Sequence, residues 1–274
     1  MKTQFGHAVL LLASSNLLLA TNAFSQAPAQ PVAVAAASDA DTPSPAPVNP
    51  EKTLPTTKDL LQKYESVTGG HDVWSSFHSR SMRGVYQTED GSGFAGIEVL
   101  NKEPNKSLSK ITLSNGLVIR EICDGKSAWI EDPRGGMHSI TGAALASRIR
   151  RSNFNDRATM LLMAITGHVT GTEKVGAHNT YVMEFSAEKN IASKLYFDTE
   201  SGLVVRADDV IHTEEGEYKV ETYMDDYRQV DGAYFPFRMR HVEKGSVFTV
   251  RMTQIKNNVQ IDDTVFLKPE SAPK

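Results

Sequence analysis

The sequence contains only one cysteine, Cys123, so an internal disulfide is excluded. It also lacks an excess of basic residues, since 29 Lys and Arg stand against 33 Asp and Glu for a net charge of −4. This balance gives no electrostatic footprint for nucleic acid, and we expect no such partner. With 40% hydrophobic and 23% charged residues, the 274-residue chain has the composition of an ordinary soluble protein.

Recognisable catalytic and metal-binding motifs are missing as well. GxSxG is absent because Trp129 stands where its second glycine would be, and no P-loop, GxGxxG, HExxH or CxxC motif occurs. The eight histidines are dispersed rather than grouped as zinc ligands. We therefore predict no catalytic residue, no metal site and no cofactor. A hydrolase using scattered carboxylates and histidines is the less favoured alternative.

Only one long apolar run is present, from Ala8 to Ala20 near the N-terminus. Small residues follow it, which is typical of a secretory signal peptide cleaved after Ser25, with Ala23 as a second choice. A membrane anchor is the alternative, but the run is short of the ~20 residues that a spanning helix needs. We expect residues 1–25 to be a signal peptide, and no cysteine lies at the cleavage site to carry a lipid anchor.

The rest of the chain divides by composition into a linker and a folded domain. Residues 26–56 are rich in Ala and Pro and cannot bury a core, so they are predicted to be a disordered tether. The folded domain is expected over residues 57–269. It opens with an amphipathic helix capped by Thr57 and stopped by Gly69 and Gly70, and a short second turn follows.

A second helical region is predicted from Thr141 to Gly167, in the middle of a chain otherwise made of strands. Leu145 and Ile149 are one helical turn apart, and Leu161 and Ile165 continue the stripe. The spacing fits a pair of helices or one helix broken near Asn153.

Alternating apolar and polar residues predict about eleven or twelve strands joined by tight turns. Five precede the helical insert and seven follow it: Arg80–Thr88, Gly93–Leu100, Ser107–Leu113, Leu117–Cys123, Lys126–Glu131, His168–Val175, Tyr181–Ala187, Ser193–Asp198, Leu203–His212, Tyr218–Arg228, Tyr234–Glu243 and Val247–Lys256. Because the strands follow one another through short turns, the fold class is mainly β, a long antiparallel meander with one apolar face.

Several segments together resemble a known family. They are VTGGHDVW, DGKSAWIEDPRGG, YFDTESGLVVR and DYRQVDGAYFPF, in the order helix, meander, helical insert and second meander. The chain from Thr57 to Pro269 is similar to the outer-membrane lipoprotein-sorting proteins, the LolA-like carriers of the Gram-negative periplasm. The resemblance implies an unclosed half-barrel whose apolar concave face is closed by helices. It also implies a periplasmic protein without catalytic activity that binds lipid acyl chains.

Strand parity, combined with this resemblance, gives a set of expected cavity and lid residues. The cavity would be lined by Ile97, Val99, Trp129, Met183, Phe185, Phe237, Met239, Phe248, Val250 and Met252, and the lid would contribute Leu145, Ile149, Leu161 and Ile165. A slip of one residue in register would turn any strand's contribution to the other face.

The expected ligand is a lipid or lipoprotein acyl chain carried by a monomer, with donor and acceptor proteins in the inner and outer membranes as further partners. An envelope stress-sensing or protein-interaction module that uses the same groove is the alternative. A deep apolar groove under a lid would favour lipid, whereas a filled core with a patterned edge would favour protein.

Overall fold

The computed structural model describes residues 53–133, 135–154, 163–188, 191–213, 216–243 and 246–269. The predicted signal peptide and nearly all of the predicted linker lie outside these ranges. Within them, thirteen antiparallel strands form one sheet that does not close into a barrel. The structure therefore confirms the predicted mainly β, unclosed half-barrel.

The strands fall into two meanders that flank the helical insert. The first contains β1 (Ser79–Thr88), β2 (Phe94–Lys102), β3 (Lys106–Leu113), β4 (Val118–Cys123), β5 (Ala128–Asp132) and β6 (Gly136–Ile140). The second contains β7 (His168–Val175), β8 (His178–Glu188), β9 (Ile191–Asp198), β10 (Val204–Thr213), β11 (Gly216–Val230), β12 (Ala233–Glu243) and β13 (Ser246–Asn257). The sequence analysis found all of these strands except β6.

The two meanders are joined through their most distant strands. The sheet order is β6-β5-β4-β3-β2-β1-β13-β12-β11-β10-β9-β8-β7, so the first and last strands pair in the middle of the sheet. The edges of the sheet are therefore β6 and β7, which flank the helical insert in the sequence. This placement brings the insert to the open side of the half-barrel, where the curved sheet is not closed by hydrogen bonds.

The α-helices whose bounds the described residues define are α1 (Thr57–Thr68), α2 (His71–Ser75) and α3 (Gly142–Arg151), and residues 163–166 are also helical. The N-cap of α1 is Thr56 rather than the predicted Thr57, because Thr56 and Asp59 form a reciprocal capping box. Gly69 ends α1 with φ of 129°, and a side chain there would meet the carbonyl oxygen of Gly232 at 2.8 Å. The glycine stop therefore also lets α1 approach the turn between β11 and β12.

Burial distinguishes the two faces of the sheet. The face under the helices, called the covered face here, carries an apolar cluster that runs from β4 through β1 and β13 to β8 and includes side chains of α1 and α2. The opposite face has a smaller cluster built from Val175, Val182, Tyr196 and Val205. The main core therefore lies between the covered face and the helices.

Candidate functional site

Nine of the residues predicted from strand parity lie together on the covered face. All are less than a tenth exposed and belong to one apolar cluster: Ile97, Val99, Met183, Phe185, Phe237, Met239, Phe248, Val250 and Met252. The register explains their proximity, since Met239 is opposite Val250 and Met183 is opposite Leu195. Whether this cluster receives a ligand remains a prediction.

The other predicted positions differ from expectation. Trp129 lies on the opposite face of β5, because Ala128 and Ile130 are the residues of that strand that turn towards α3. Ile165 is 73% exposed, and Met163, two residues earlier, is the one that enters the core. Leu161 lies outside the described residues. The expected roles of Trp129 and Ile165 are therefore not supported by their positions.

Leu145 and Ile149 do face the sheet, but at its β4–β6 end. They pack, partly buried, against a second apolar cluster that contains Cys123, Ala128 and Ile140. The single cysteine is a buried member of this cluster. Leu145 and Ile149 thus anchor one side of α3 to the first meander.

Aromatic contacts attach α1 and α2 to the second meander. The ring of Tyr64 in α1 meets Phe197 edge-on at 5.8 Å, and Trp74 in α2 meets Phe235 at 5.0 Å between centroids. Such edge contacts add to the stabilisation that burial alone provides. These two helices are therefore integral parts of the core.

By contrast, α3 buries small and polar side chains. Its buried residues are Ala144, Ser147 and Arg148, and it contacts both β5 in the first meander and β10 in the second. It therefore spans the covered face between the two meanders. Because the hydrophobic effect scales with buried apolar area, α3 gains less from burial than α1, which inserts Leu60, Leu61 and Tyr64.

An ion pair fixes α3 to the sheet. Arg148 Nε lies 2.6 Å from Glu121 Oε1 on β4, and both side chains are at most 5% exposed. The Nε–H is not aligned with that oxygen, so the contact is electrostatic rather than a directed hydrogen bond. Arg148 Nη1 also donates to the hydroxyl of Ser152 at 3.1 Å.

Polar residues continue from α3 across the covered face as one band. Ser152 and Ser107 share a hydrogen bond of 2.9 Å, Ser107 is opposite Asn101, and Asn101 is opposite Arg80. Arg80 in turn donates to Asn257 Oδ1 at 2.8 Å. We call this row the polar band: Asn257, Arg80, Asn101, Ser107, Ser152 and Arg148.

Arg80 is held in an aromatic cage on the covered face, near the start of β1. Its guanidinium carbon lies 4.7–5.8 Å from the ring centroids of Phe235, Phe154, Trp74 and Phe77. Cation–π attraction in such a desolvated setting offsets part of the cost of burying the charge. Burial nevertheless lowers the pKa of Arg80 to about 9.

Two further titratable groups lie on the covered side. His241 stacks on Phe248 with centroids 4.8 Å apart, and burial lowers the pKa of His241 to about 4. Asp209 accepts a hydrogen bond from Ser193, and burial raises the pKa of its carboxyl. Asp209 and its neighbour Asp208 both lie inside β10, within the predicted strand Leu203–His212.

The sequence analysis missed these polar groups although it contained a signal for them. Arg80, Asn101 and Glu121 each occupy a position whose parity matches an apolar neighbour two residues away, namely Met82, Val99 and Ile119. A polar residue at an inward position of a strand breaks the alternation. Such a break marks a buried polar group that needs a hydrogen-bond or ion-pair partner, either from the protein or from a ligand.

Other kinds of site are not evident in the described part of the chain. No group of three or more His, Cys, Asp or Glu residues there is arranged to hold a metal ion, and none of the helices there could span a membrane. A depression of about 390 Å³ beside the β7–β8 hairpin is lined by Thr172, Glu173, Lys174, Asn179, Tyr181 and Thr199. Each of these six side chains carries a polar or charged group.

Comparison with known proteins gives a likeness of fold. No family model and no curated sequence matches the chain. A DUF1329 family protein from Desulfovibrio piger matches 77% of this chain and 97% of its own length, with 13% identity and a TM-score of 0.50. A LolA superfamily protein from Nitrosomonas europaea matches 78% and 99%, with 15% identity and a TM-score of 0.49.

The architecture defines the class of protein at the level of fold. It is an unclosed antiparallel half-barrel whose inner face is covered by helices. In fold the chain is LolA-like, as its sequence segments predicted.

Proposed function

We propose that the protein binds a lipid or lipoprotein acyl chain against its covered face, as a carrier or binding protein of the Gram-negative envelope. The observation that carries the proposal is the apolar cluster that continues across both meanders beneath only short helices. A chain laid along this face would gain about 0.8 kcal/mol per buried methylene. A periplasmic location and transfer between membrane-bound donor and acceptor proteins belong to the same proposal.

The weak apolar anchoring of α3 supports a lid role for this helix. Its apolar side chains Leu145 and Ile149 are only partly buried, so moving it exposes less apolar surface than moving α1 would. An acyl chain that takes its place would cover the face again. Sequestration without chemistry is sufficient for this role, and we propose a binding protein rather than an enzyme.

Lipid extraction tests the proposal directly. Protein purified from a Gram-negative envelope without detergent should carry acyl lipids that mass spectrometry identifies, and the stripped protein should bind a fluorescent fatty acid. Recovery of no lipid, together with no binding of the fluorescent probe by folded protein, would defeat the proposal. Capture of a specific protein partner in that case would favour the interaction module instead.

A pair of phenylalanine substitutions locates the binding face. Phe237 is 7% exposed on the covered face, whereas Phe94 is 54% exposed at the start of β2. We expect Phe237→Gln to weaken binding of the fluorescent fatty acid about tenfold, because a buried aromatic side chain contributes roughly 1.5–3 kcal/mol of apolar burial. Phe94→Gln should leave the affinity unchanged.

Circular dichroism and thermal unfolding must show that both variants are folded at the binding temperature. Phe237→Leu, which keeps the site apolar, should bind with intermediate affinity. Equal affinities for all three variants and the unmodified protein would remove Phe237 from the site.

A further inference from the structure

Asn101 is a buried amide without a partner. Its side chain is 0% exposed, and neither its Oδ1 nor its Nδ2 makes a hydrogen bond. It lies directly opposite Arg80 on one side and Ser107 on the other, yet bonds to neither. Because a buried amide without hydrogen bonds is costly, this arrangement calls for an occupant that supplies them.

Arg80 next to it is a buried cation with no counter-ion in the part of the chain that the structure describes. Among the residues that the structure describes, no carboxylate lies within ion-pair distance of Arg80, which is 3% exposed. Its side chain donates one hydrogen bond, to Asn257 Oδ1. The Nδ2 group of Asn257 in turn donates to the exposed Asp231 at 3.1 Å. Desolvation lowers the pKa of Arg80, and an anion beside the guanidinium would raise that pKa again.

The remaining charges nearby do not neutralise Arg80. Glu121 is already engaged by Arg148 at 2.6 Å at the other end of the polar band. Arg151 on α3 is a further cation, and burial lowers its pKa to about 10. Among the described residues of the covered side, the cations Arg80, Arg148 and Arg151 stand against the carboxylates of Glu121 and Asp209.

We propose that the polar band binds the anionic head group of an acyl ligand through Arg80 and Asn101, an assignment that rests on the proposed function. The shared chemistry is a phosphate or carboxylate. Its oxygens accept hydrogen bonds from Asn101 Nδ2 and the Arg80 guanidinium, and Asn101 Oδ1 accepts one from a hydroxyl of the head group or a water.

The apolar chain has a continuous path away from this head-group position. Val99 and Met82 follow Asn101 and Arg80 on the same face, one step further along β2 and β1, and both belong to the apolar cluster. Beyond them lie Ile97 and Ile111. A ligand with its head at the polar band therefore lays its chain along the covered face.

Two ligands with the same chain and different heads test this assignment. Dodecyl phosphate and the neutral dodecyl glucoside are titrated into the full-length protein by calorimetry, below their micelle concentrations. We expect the phosphate to bind about tenfold more tightly, since hydrogen bonds to a charged group are the stronger kind. Arg80→Met should reduce this ratio to about one without weakening the glucoside.

Arg83→Met is the matched control, because Arg83 lies on the same strand, is 61% exposed and pairs with Glu98. It should leave the ratio unchanged. If Arg80→Met does not fold, Asn101→Leu, which removes an unpaired amide, should give the same loss of preference. Arg80→Lys should retain part of it.

The outcomes separate the two proposals. Binding of neither detergent would defeat the proposed function itself. Equal binding of both detergents by the unmodified protein would overturn the head-group assignment and leave water as the occupant of the band. Displacement of dodecyl phosphate by millimolar inorganic phosphate would also overturn it, because the site would then take a free anion.

Discussion

His241 shows how one polar residue can occupy an apolar face in its neutral form. Its ring stacks on Phe248, and its Nδ1 lies 3.1 Å from the hydroxyl of Thr222. Its Nε2 is buried and has no hydrogen-bond partner. The protonated ring would carry a charge that nothing on this side of the ring solvates, which is why burial lowers the pKa of His241 to about 4.

This depressed pKa predicts a pH-dependent stability. Between about pH 6.5 and pH 4 the unfolded chain binds a proton at His241 that the folded protein does not, so acidification favours unfolding. The stability due to neutral His241 is complete above pH 6.5 and is lost as the pH falls. We expect a loss of about 2 kcal/mol between pH 7 and pH 5.

Urea unfolding at the two pH values measures this effect. In His241→Gln the part of the pH dependence due to His241 should disappear, whereas His168→Gln, at an exposed histidine, should retain it. An identical pH dependence in the His241→Gln variant and the unmodified protein would contradict the assignment.

At the scale of an element, α3 carries a buried ion pair to the sheet. The Arg148–Glu121 pair is buried, and burying two charges costs desolvation that their attraction only partly offsets. Removal of one partner leaves the other charge buried and alone. Losing one partner of the pair should therefore lower the stability strongly. Replacing both partners by apolar residues should change the stability little.

Single and double substitutions distinguish these two effects. Arg148→Met alone should lower the free energy of unfolding by about 3–5 kcal/mol, and the double variant with Glu121→Leu should recover most of it. As a control, Arg240→Met breaks an exposed pair with Glu89 and should cost less than about 1 kcal/mol. If the double variant is as unstable as Arg148→Met, the ion pair is a net stabilising contact and this account is wrong.

The elements also show what the sequence could predict. Period-two alternation located β12 to within one residue of its observed bounds, because alternate residues of this strand are buried. It missed β6, whose residues are mostly exposed and carry no alternation. It placed Trp129 on the wrong face, since a large aromatic residue counts as apolar whichever face it occupies.

The polar contacts of α3 were beyond prediction for a different reason. The Arg148–Glu121 pair joins residues that only the folded arrangement of α3 over β4 brings together. No local periodicity records such a pairing. The nine covered-face residues were found because each needs only its own strand's parity, whereas the polar band needs neighbours from several elements.

For the whole molecule, the pairing of β1 with β13 has the largest effect on shape. It joins the first and last strands of the sheet and places the apolar face of both meanders side by side. Tight turns connect most neighbouring strands, but β1 and β13 are separated by nearly the whole sequence of the domain. Such closure costs chain entropy, so the contact must be favourable along its whole length.

Gly84 is a point of close backbone approach in the β1–β13 join. The register shifts between Arg83 and Gly84, and a Cβ at Gly84 would lie 2.4 Å from the carbonyl oxygen of Arg251 on β13. The obstacle is backbone, which cannot rotate away as a side chain can. Gly96 on β2 is a matched strand position where a Cβ would meet nothing within 4 Å.

We expect Gly84→Ala to destabilise the protein by about 1–3 kcal/mol, because the strands must separate or shift to accept the methyl group. Gly96→Ala should be neutral or slightly stabilising, since alanine restricts the unfolded chain more than glycine does. Urea unfolding gives both values, and hydrogen exchange should show lost protection on β1 and β13 in the Gly84 variant only. Similar stabilities for the two variants would mean that β1 and β13 can accommodate a methyl group at Gly84 without loss of stability. The close approach of the two backbones would then not limit the residue at this position.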